Sequence, residues 1–271
     1  MLVTFDPVWR ESLTAHISIL RLPTWRSNGY VLAMKFAAPL IAGRLVQRYK
    51  RFLADVRLDD GSVVTATCPN TGSMMGLTTP GSAVWLSTSD SPTRKYKHTW
   101  EMIEADAGRG PTLVGINTNH PNALVTEAIE TTLIPELKGF GSLRREVKYG
   151  LNSRIDILLE GGAGGRSCYV EVKNVHLMRQ AGLAEFPDSK TERGVKHLGE
   201  LSAMVAEGHR AVMLYLVQRG DADRFTIAGD IDPAYGAAFA KAAAAGVEML
   251  CYGCRLSPEA IMVDRRIQFT D

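Results

Sequence analysis

From residue 45 to residue 118 apolar and polar positions alternate in short runs, which is the pattern of half-buried β-strands. The runs are LVQRYKRFLADVRL, SVVTATC, SAVWLSTS, TWEMIEAD and TLVGINT, and the turn signals DDG, PNTG, TPG and AGRG separate them. Five short strands predict a small barrel. At HPNALVTEAIETTLIPEL the period lengthens to that of a helix, with Leu124, Val125, Ala128, Ile129 and Leu133 on one face and Asn122 as its N-cap. Strands follow at 143–150, 153–160 and 167–175, then a helix at 191–208 capped by Thr191. An almost continuously apolar strand at 210–219 signals a buried sheet. A further helix at 232–246 and a strand at 247–256 complete an α/β domain that begins near residue 119. Residues 1–33 sustain neither period and are assigned no fold.

Three charges interrupt the apolar strands of SRIDILLEGGAGGRSCYVEVKNV: Asp156, Glu171 and Lys173. A carboxylate in such a run has to be hydrogen-bonded, paired or metal-bound, because burying it alone is costly. Glu171 and Lys173 are two apart and leave one face of their strand. If the GGAGG loop closes a hairpin, Asp156 lies across from them. Two carboxylates can hold Mg²⁺ or Mn²⁺ with waters and phosphate oxygens, and a lysine adds charge stabilisation for a phosphodiester transition state. An edge-strand salt bridge fits the spacing as well. The order of helix, three strands, helix and strand resembles the PD-(D/E)xK nuclease fold. In that fold the residues matching Asp156 and Glu171 hold metal and the one matching Lys173 assists hydrolysis. That fold also commonly carries an acid on the preceding helix, for which Glu127 is the candidate ligand; a solvated helix face explains it equally well.

The 271 residues carry a net charge of +2, too little to argue for nucleic acid without local clustering. Cys68, Cys168, Cys251 and Cys254 form no disulfide framework and suit a reducing compartment, so a cytoplasmic protein is expected. No apolar run reaches the length of about 18 residues that a membrane span needs, so no membrane association is expected. The CYGC spacing lacks a second pair or a histidine partner and reads as core. Neither GxxxxGK[ST] nor GxSxG occurs, so a nucleotide cofactor and serine-hydrolase chemistry are not expected.

The segments LVQRYKRFLADVRL, CPNTGSM, STSDSPTRKYKHTWEM, RREVKYGLNSRIDILL, YVEVKNV, FPDSKTERGVKHLGEL and DIDPAYGAAFAKAAAAGVEMLCY together resemble the sugar fermentation stimulation protein A family, in that family's order from about Met34 to the end. The resemblance implies an OB-fold domain at 34–118, a PD-(D/E)xK nuclease-like α/β domain with a mixed sheet at 119–271, and DNA binding of low sequence preference. The family's name attaches a regulatory role in sugar metabolism. MKFAAPLIAGRLVQRYKRF looks like a family start, which makes 1–33 an extension and Met34 a candidate initiator.

Two basic clusters on the barrel suit phosphate contact. Arg48, Lys50 and Arg51 are interleaved with Tyr49 and Phe52, and Arg94, Lys95 and Lys97 lie in a loop. Solvated strand and loop faces would carry the same charges. On the later helix Arg193 and Lys196 share a face with His197 close by, and cations at a helix start oppose the macrodipole. Such a face would bring positive charge to a scissile phosphate. The expected partner is DNA, held mostly through its phosphates.

Overall fold

The structure, a computed structural model, describes residues 33–150 and 153–270. The expectation for the leading segment falls outside these residues, Ala33 apart. In chain order the strands are β1 (Met34–Lys35), β2 (Ile41–Tyr49), β3 (Leu53–Leu58), β4 (Val63–Thr67), β5 (Ala83–Thr88), β6 (His98–Ala105) and β7 (Thr112–Gly115). Helix α1 (Pro121–Glu130) leads to β8 (Ser142–Tyr149), β9 (Ser153–Glu160), β10 (Cys168–Val175), β11 (Leu177–Gln180) and β12 (Leu183–Phe186). The remainder is α2 (Glu192–Ala206), β13 (Arg210–Val217), β14 (Arg224–Ile227), α3 (Pro233–Ala244), β15 (Glu248–Leu256), β16 (Ala260–Arg266) and β17 (Gln268–Phe269).

The N-terminal sheet runs β4-β3-β2-β5-β6-β7 and closes through a parallel β4–β6 pairing, Ala66↔His98 and Thr67↔Thr99. Five strands therefore form a closed barrel around Leu45, Ala54, Val56, Leu86 and Trp100, with β7 outside it. Two of those five come from the run that the sequence presents as one strand. LVQRYKRFLADVRL folds back on itself as the β2–β3 hairpin, with Lys50 and Arg51 at φ 50° and 64°. The Tyr49↔Leu53 pair leaves a three-residue loop, 50–52, and neither of its two positive-φ residues is the Asn or Gly that announces such a turn.

The large sheet has the order β1-β16-β15-β13-β10-β9-β8, parallel at its centre and antiparallel at both edges. Along β13, Val212, Leu214 and Leu216 enter one core with α1, while Met213, Tyr215 and Val217 enter the other with α2. Burial on both faces explains its unbroken apolar sequence. Cys251 belongs to one of these cores and Cys254 to the other, so the CYGC thiols point to opposite sides of β15. They cannot grip one ion together. A smaller sheet, β11-β12-β14-β17, built from strands of two to four residues, has no sequence signal of its own.

Helix α1 buries Leu124, Val125, Ala128 and Ile129 as the periodicity predicts, but it stops at Glu130, and Thr132 turns the chain at φ 59°. Leu133, expected on the buried face, is exposed, and Ile134 takes the buried place. Nor is Asn122 the N-cap: His120 occupies that position, Pro121 opens the helix, and the Asn122 side chain is directed elsewhere. Thr191 does cap α2, its hydroxyl accepting from Gly194 N at 3.0 Å. Among the described residues no helix is long and apolar enough to cross a membrane.

The barrel is fastened to the α/β domain by main-chain and side-chain polar contacts. Gly115 N donates to Gln218 O at 2.8 Å. The Asp188 carboxylate accepts from Met74 N at 3.0 Å, and its main-chain oxygen accepts from Ser73 Oγ at 2.7 Å.

Candidate active site

Strands β9 and β10 pair antiparallel through Val170↔Ile157 and then part, which leaves Asp156 beside the continuing strand β10. There the side chain replaces the ladder: Asp156 Oδ2 accepts from Val172 N at 2.8 Å. Its Oδ1 accepts from Asn122 Nδ2 at 2.9 Å, the amide that also donates to Glu146 Oε1 at 3.2 Å. Glu146 lies on β8 opposite Asp156, between the pairs Arg145↔Ile157 and Val147↔Ile155, at φ 54°. An acid from each of β8, β9 and β10 is thus placed across the sheet.

Glu171 and Lys173 pair in register with Met213 and Tyr215, and both therefore face α2. Glu171 is 2% exposed, and its Oε1 accepts from Lys173 Nζ at 2.6 Å and contacts His197 Nδ1. Arg193 Nε donates to His197 Nε2 at 3.3 Å. Lys173 Nζ also lies 3.2 Å from His197 Nδ1, so the ring is held between Arg193 on one nitrogen and Glu171 and Lys173 on the other. The second oxygen, Glu171 Oε2, is buried without a hydrogen-bond partner among the described residues.

The two central acids differ in their proton affinity. Burial, and then the negative charge of Glu171, push the Asp156 carboxyl up, against Val172 N–H, Asn122 and Lys173. Burial also pushes Glu171 up, but hydrogen bonds and charge from His197 and Lys173 outweigh it and hold this carboxyl down. Such separation of neighbouring carboxyls is a feature of functional sites. Both groups offer hard oxygen donors, suited to a magnesium-like ion that completes its shell with water and phosphate. Among the described residues no three His, Cys, Asp or Glu side chains converge on one point as a closed ligand cage. The side chain of α1 that touches Asp156 is Asn122. Glu127 is half-buried beside Glu130, whose charge together with burial raises its carboxyl.

A cleft of about 610 Å³ opens at His197, the residue that contacts Glu171; Asp156, Glu171 and Lys173 are not themselves in its lining. Lys148, Arg154, Arg193 and Lys196 line it along with Glu146, Tyr149 and His197. The sequence singled out Arg193 and Lys196. Lys148 and Arg154 alternate with apolar residues like ordinary solvated strand positions, and only the β8–β9 pairing, Lys148↔Arg154, puts them together.

The cations of the barrel are employed differently. Arg48 Nη2 donates to the carbonyls of Arg51, Asn70 and Gly72 at 2.8, 2.9 and 3.0 Å, which fastens the hairpin tip to the following loop. Arg94 Nη2 donates to Thr67 Oγ1 at 2.8 Å, and Lys97 Nζ to Ser91 O at 2.5 Å. Lys95 lies over the Tyr96 ring at 5.3 Å. Lys50 and Arg51 are exposed at the tip, next to Phe52, which is 52% exposed.

Residues 119–260 match the family described as "Sugar fermentation stimulation protein RE domain", and residues 46–116 match "SfsA N-terminal OB domain". A curated relative from Rhodospirillum centenum, a "Sugar fermentation stimulation protein homolog", is 59% identical over 237 residues, 88% of this chain and 100% of the relative. The chain belongs to the sugar fermentation stimulation protein family. A Brucella anthropi homolog of the same description is 58% identical over 228 residues, covering 84% of this chain and 96% of the relative. Within the same family, the solved structure of Pyrococcus furiosus SfsA, determined in complex with Ca²⁺, matches with a TM-score of 0.78. It covers 89% of this chain and 100% of its own at 24% identity, a likeness of fold.

Proposed function

We propose that this chain binds DNA with little sequence preference and hydrolyses phosphodiester bonds at a divalent-cation site in its C-terminal domain. One observation carries the reading: a cleft lined by four cations, Lys148, Arg154, Arg193 and Lys196, is joined to the Asp156–Glu171–Lys173 group by two of its other lining residues, His197, which contacts Glu171, and Glu146, which shares the Asn122 amide with Asp156. Cations spaced around a groove neutralise phosphates whatever the bases, so affinity is salt-sensitive and sequence-tolerant. Asp156 and the unpartnered Oε2 of Glu171 are the residues that would hold Mg²⁺ or Mn²⁺. A bound ion of this kind supplies charge for the phosphate oxygens and lowers the pKa of a bound water.

The chain's own residues then have separate tasks. Asn122 and Val172 N–H orient Asp156, so its carboxylate is positioned before any ligand arrives. The His197 imidazole, itself held by Arg193, fixes one Glu171 oxygen and leaves the other for a cation. Lys173 brings a positive charge to the place where a phosphorane would gather negative charge. The Ca²⁺ complex of the Pyrococcus furiosus relative supports a divalent-cation site in the family. The relatives' names add a link to sugar fermentation, which DNA binding would exert at the level of gene expression.

A second reading has its own observation: Glu171 Oε1 is engaged by both Lys173 and His197, a closed contact that could persist in a silent scaffold. Incubating the full chain with labelled single- and double-stranded DNA and Mg²⁺ or Mn²⁺ separates the two. Cleavage that slows by a factor on the order of 100 or more in Lys173→Ala supports the phosphodiesterase. DNA retention without any cleavage supports the scaffold.

A further inference from the structure

Where the barrel meets α1, Glu101 and His120 form a polar pair that does not line the cleft. Glu101, on β6, is 4% exposed, and its carboxylate accepts three hydrogen bonds: from Ser87 Oγ at 2.6 Å, and from Asn117 Nδ2 and His120 Nε2, each at 2.7 Å. Burial pushes this carboxyl up, but the bonds from His120, Ser87 and Asn117 outweigh burial and hold it down, so it is ionised at neutral pH. A carboxylate only accepts, and His120 therefore keeps a proton on Nε2.

Two of the three donors belong to the segment that leads into α1. Asn117 Oδ1 also accepts from Asn119 N at 3.0 Å, and Ile116 N donates to the main-chain oxygen of Glu101 at 2.9 Å, so residues 116–120 are tied down beside β6. His120 is the N-cap of α1, yet its side chain makes no capping bond to the helix, and the first turn contains no acid. A Ser, Thr, Asn or Asp at this position stabilises a helix by about 1 kcal/mol over a residue that does not cap. Here the side chain reaches the barrel instead, and Phe36 packs edge-on against its ring at 6.0 Å. The main-chain oxygen of His120 accepts from Ala123 N and Leu124 N, both at 3.0 Å, so the residue that grips Glu101 also closes the first turn. Asn122 lies inside that turn, and its amide is the donor to Asp156 Oδ1 at 2.9 Å.

We propose that Glu101 is a positioning residue for the cation site: through His120 it fixes the first turn of α1, and with it the Asn122 amide that orients Asp156. The inference rests on the divalent-cation site of the phosphodiesterase reading, and it makes a site in the C-terminal domain depend on a side chain of the barrel. Groups that orient a ligand typically matter by about 10- to 100-fold in metal affinity or activity. Asn122 is such a group for Asp156. Glu101 acts through it, so the loss of Glu101 cannot exceed the loss of Asn122, and the two losses do not add.

Calorimetric titration of the full chain with MnCl₂, paired with cleavage kinetics on labelled DNA, tests this by a double-mutant cycle between Glu101 and Asn122. Glu101→Met, which fills the space without a carboxylate, is expected to weaken Mn²⁺ binding and lower kcat about tenfold, with KM for DNA within about twofold of the wild type. In an Asn122→Ala background the same change is expected to cost less than about twofold, because the amide that it positions is gone. Should Glu101→Met not fold, His120→Ala takes its place in the cycle with the same expected values. Wild-type Mn²⁺ affinity in the folded variant, or a tenfold loss that persists without Asn122, overturns the inference and leaves the phosphodiesterase reading in place. A wild type that binds no Mn²⁺ overturns both.

Discussion

Asp156 is the residue whose chemistry depends most on its surroundings. Its carboxyl is raised above the ordinary 3.8, chiefly by burial and by the nearby Glu171 charge. A raised carboxyl destabilises the fold as it ionises, so the cost is absent at low pH and grows as pH rises above the unfolded value. Asp156→Asn is therefore expected to melt above the wild type at pH 7 without metal, and to match it more closely near pH 4. Calorimetry across that range checks this, and in the same variant added Mg²⁺ should no longer shift the melting temperature. Asp156, Glu171 and Lys173 were legible in the sequence because charges within apolar strands need an explanation and strand periodicity assigns their faces. Asn122 and Glu146 were not legible as neighbours of Asp156, and His197 was read as a cation beside Arg193 and Lys196 and not as the contact of Glu171, because these contacts exist only once α1, β8 and α2 pack around β10. Asn122 looked like a helix cap because caps and hydrogen-bonding site residues share the same short polar side chains.

At the scale of elements, the β2–β3 turn departs furthest from what its sequence advertises. Lys50 and Arg51 adopt left-handed conformations at φ 50° and 64°, which cost a non-glycine residue roughly 1–2 kcal/mol each. The double change Lys50→Asn with Arg51→Gly is expected to raise stability to urea by about 1 kcal/mol, since Asn and Gly adopt positive φ at the least cost. Arg48, expected to meet phosphate, instead binds three carbonyls, and Arg48→Gln should lower stability by about 1–3 kcal/mol through their loss of a donor. Asp188 ties the barrel to the α/β domain. Burial would raise its carboxyl, but His176, Met74 N–H and Ser189 hold it down at about 2 against an ordinary 3.8. The stabilisation is therefore complete above about pH 4 and is lost as pH falls through about 2, an effect of about 2 kcal/mol. Urea midpoints of wild type and Asp188→Asn should differ by that amount at pH 6 and converge near pH 2.

Across the whole molecule, a barrel followed by an α/β domain was legible from the switch of period near residue 119. The closure of the barrel through β4 and β6, and the placement of β1 at the far edge of the large sheet, are long-range pairings with no local signature. The basic cleft was half legible for the same reason: Arg193 and Lys196 share a helix face, whereas Lys148 and Arg154 meet only through strand register. If this cleft is where phosphate binds, each of Lys148→Gln, Arg154→Gln, Arg193→Gln and Lys196→Gln should reduce the slope of log affinity against log salt by about 0.7–0.9. Filter binding would show that change, and Arg48→Gln, whose cation is occupied within the fold, would not. The central claim is that Asp156 and Glu171 hold a divalent cation beside that cleft. Anomalous scattering from crystals of the full chain soaked in Mn²⁺ tests it most directly: the account predicts a peak between Asp156 and Glu171 Oε2, and a site without a peak at saturating Mn²⁺ would contradict it.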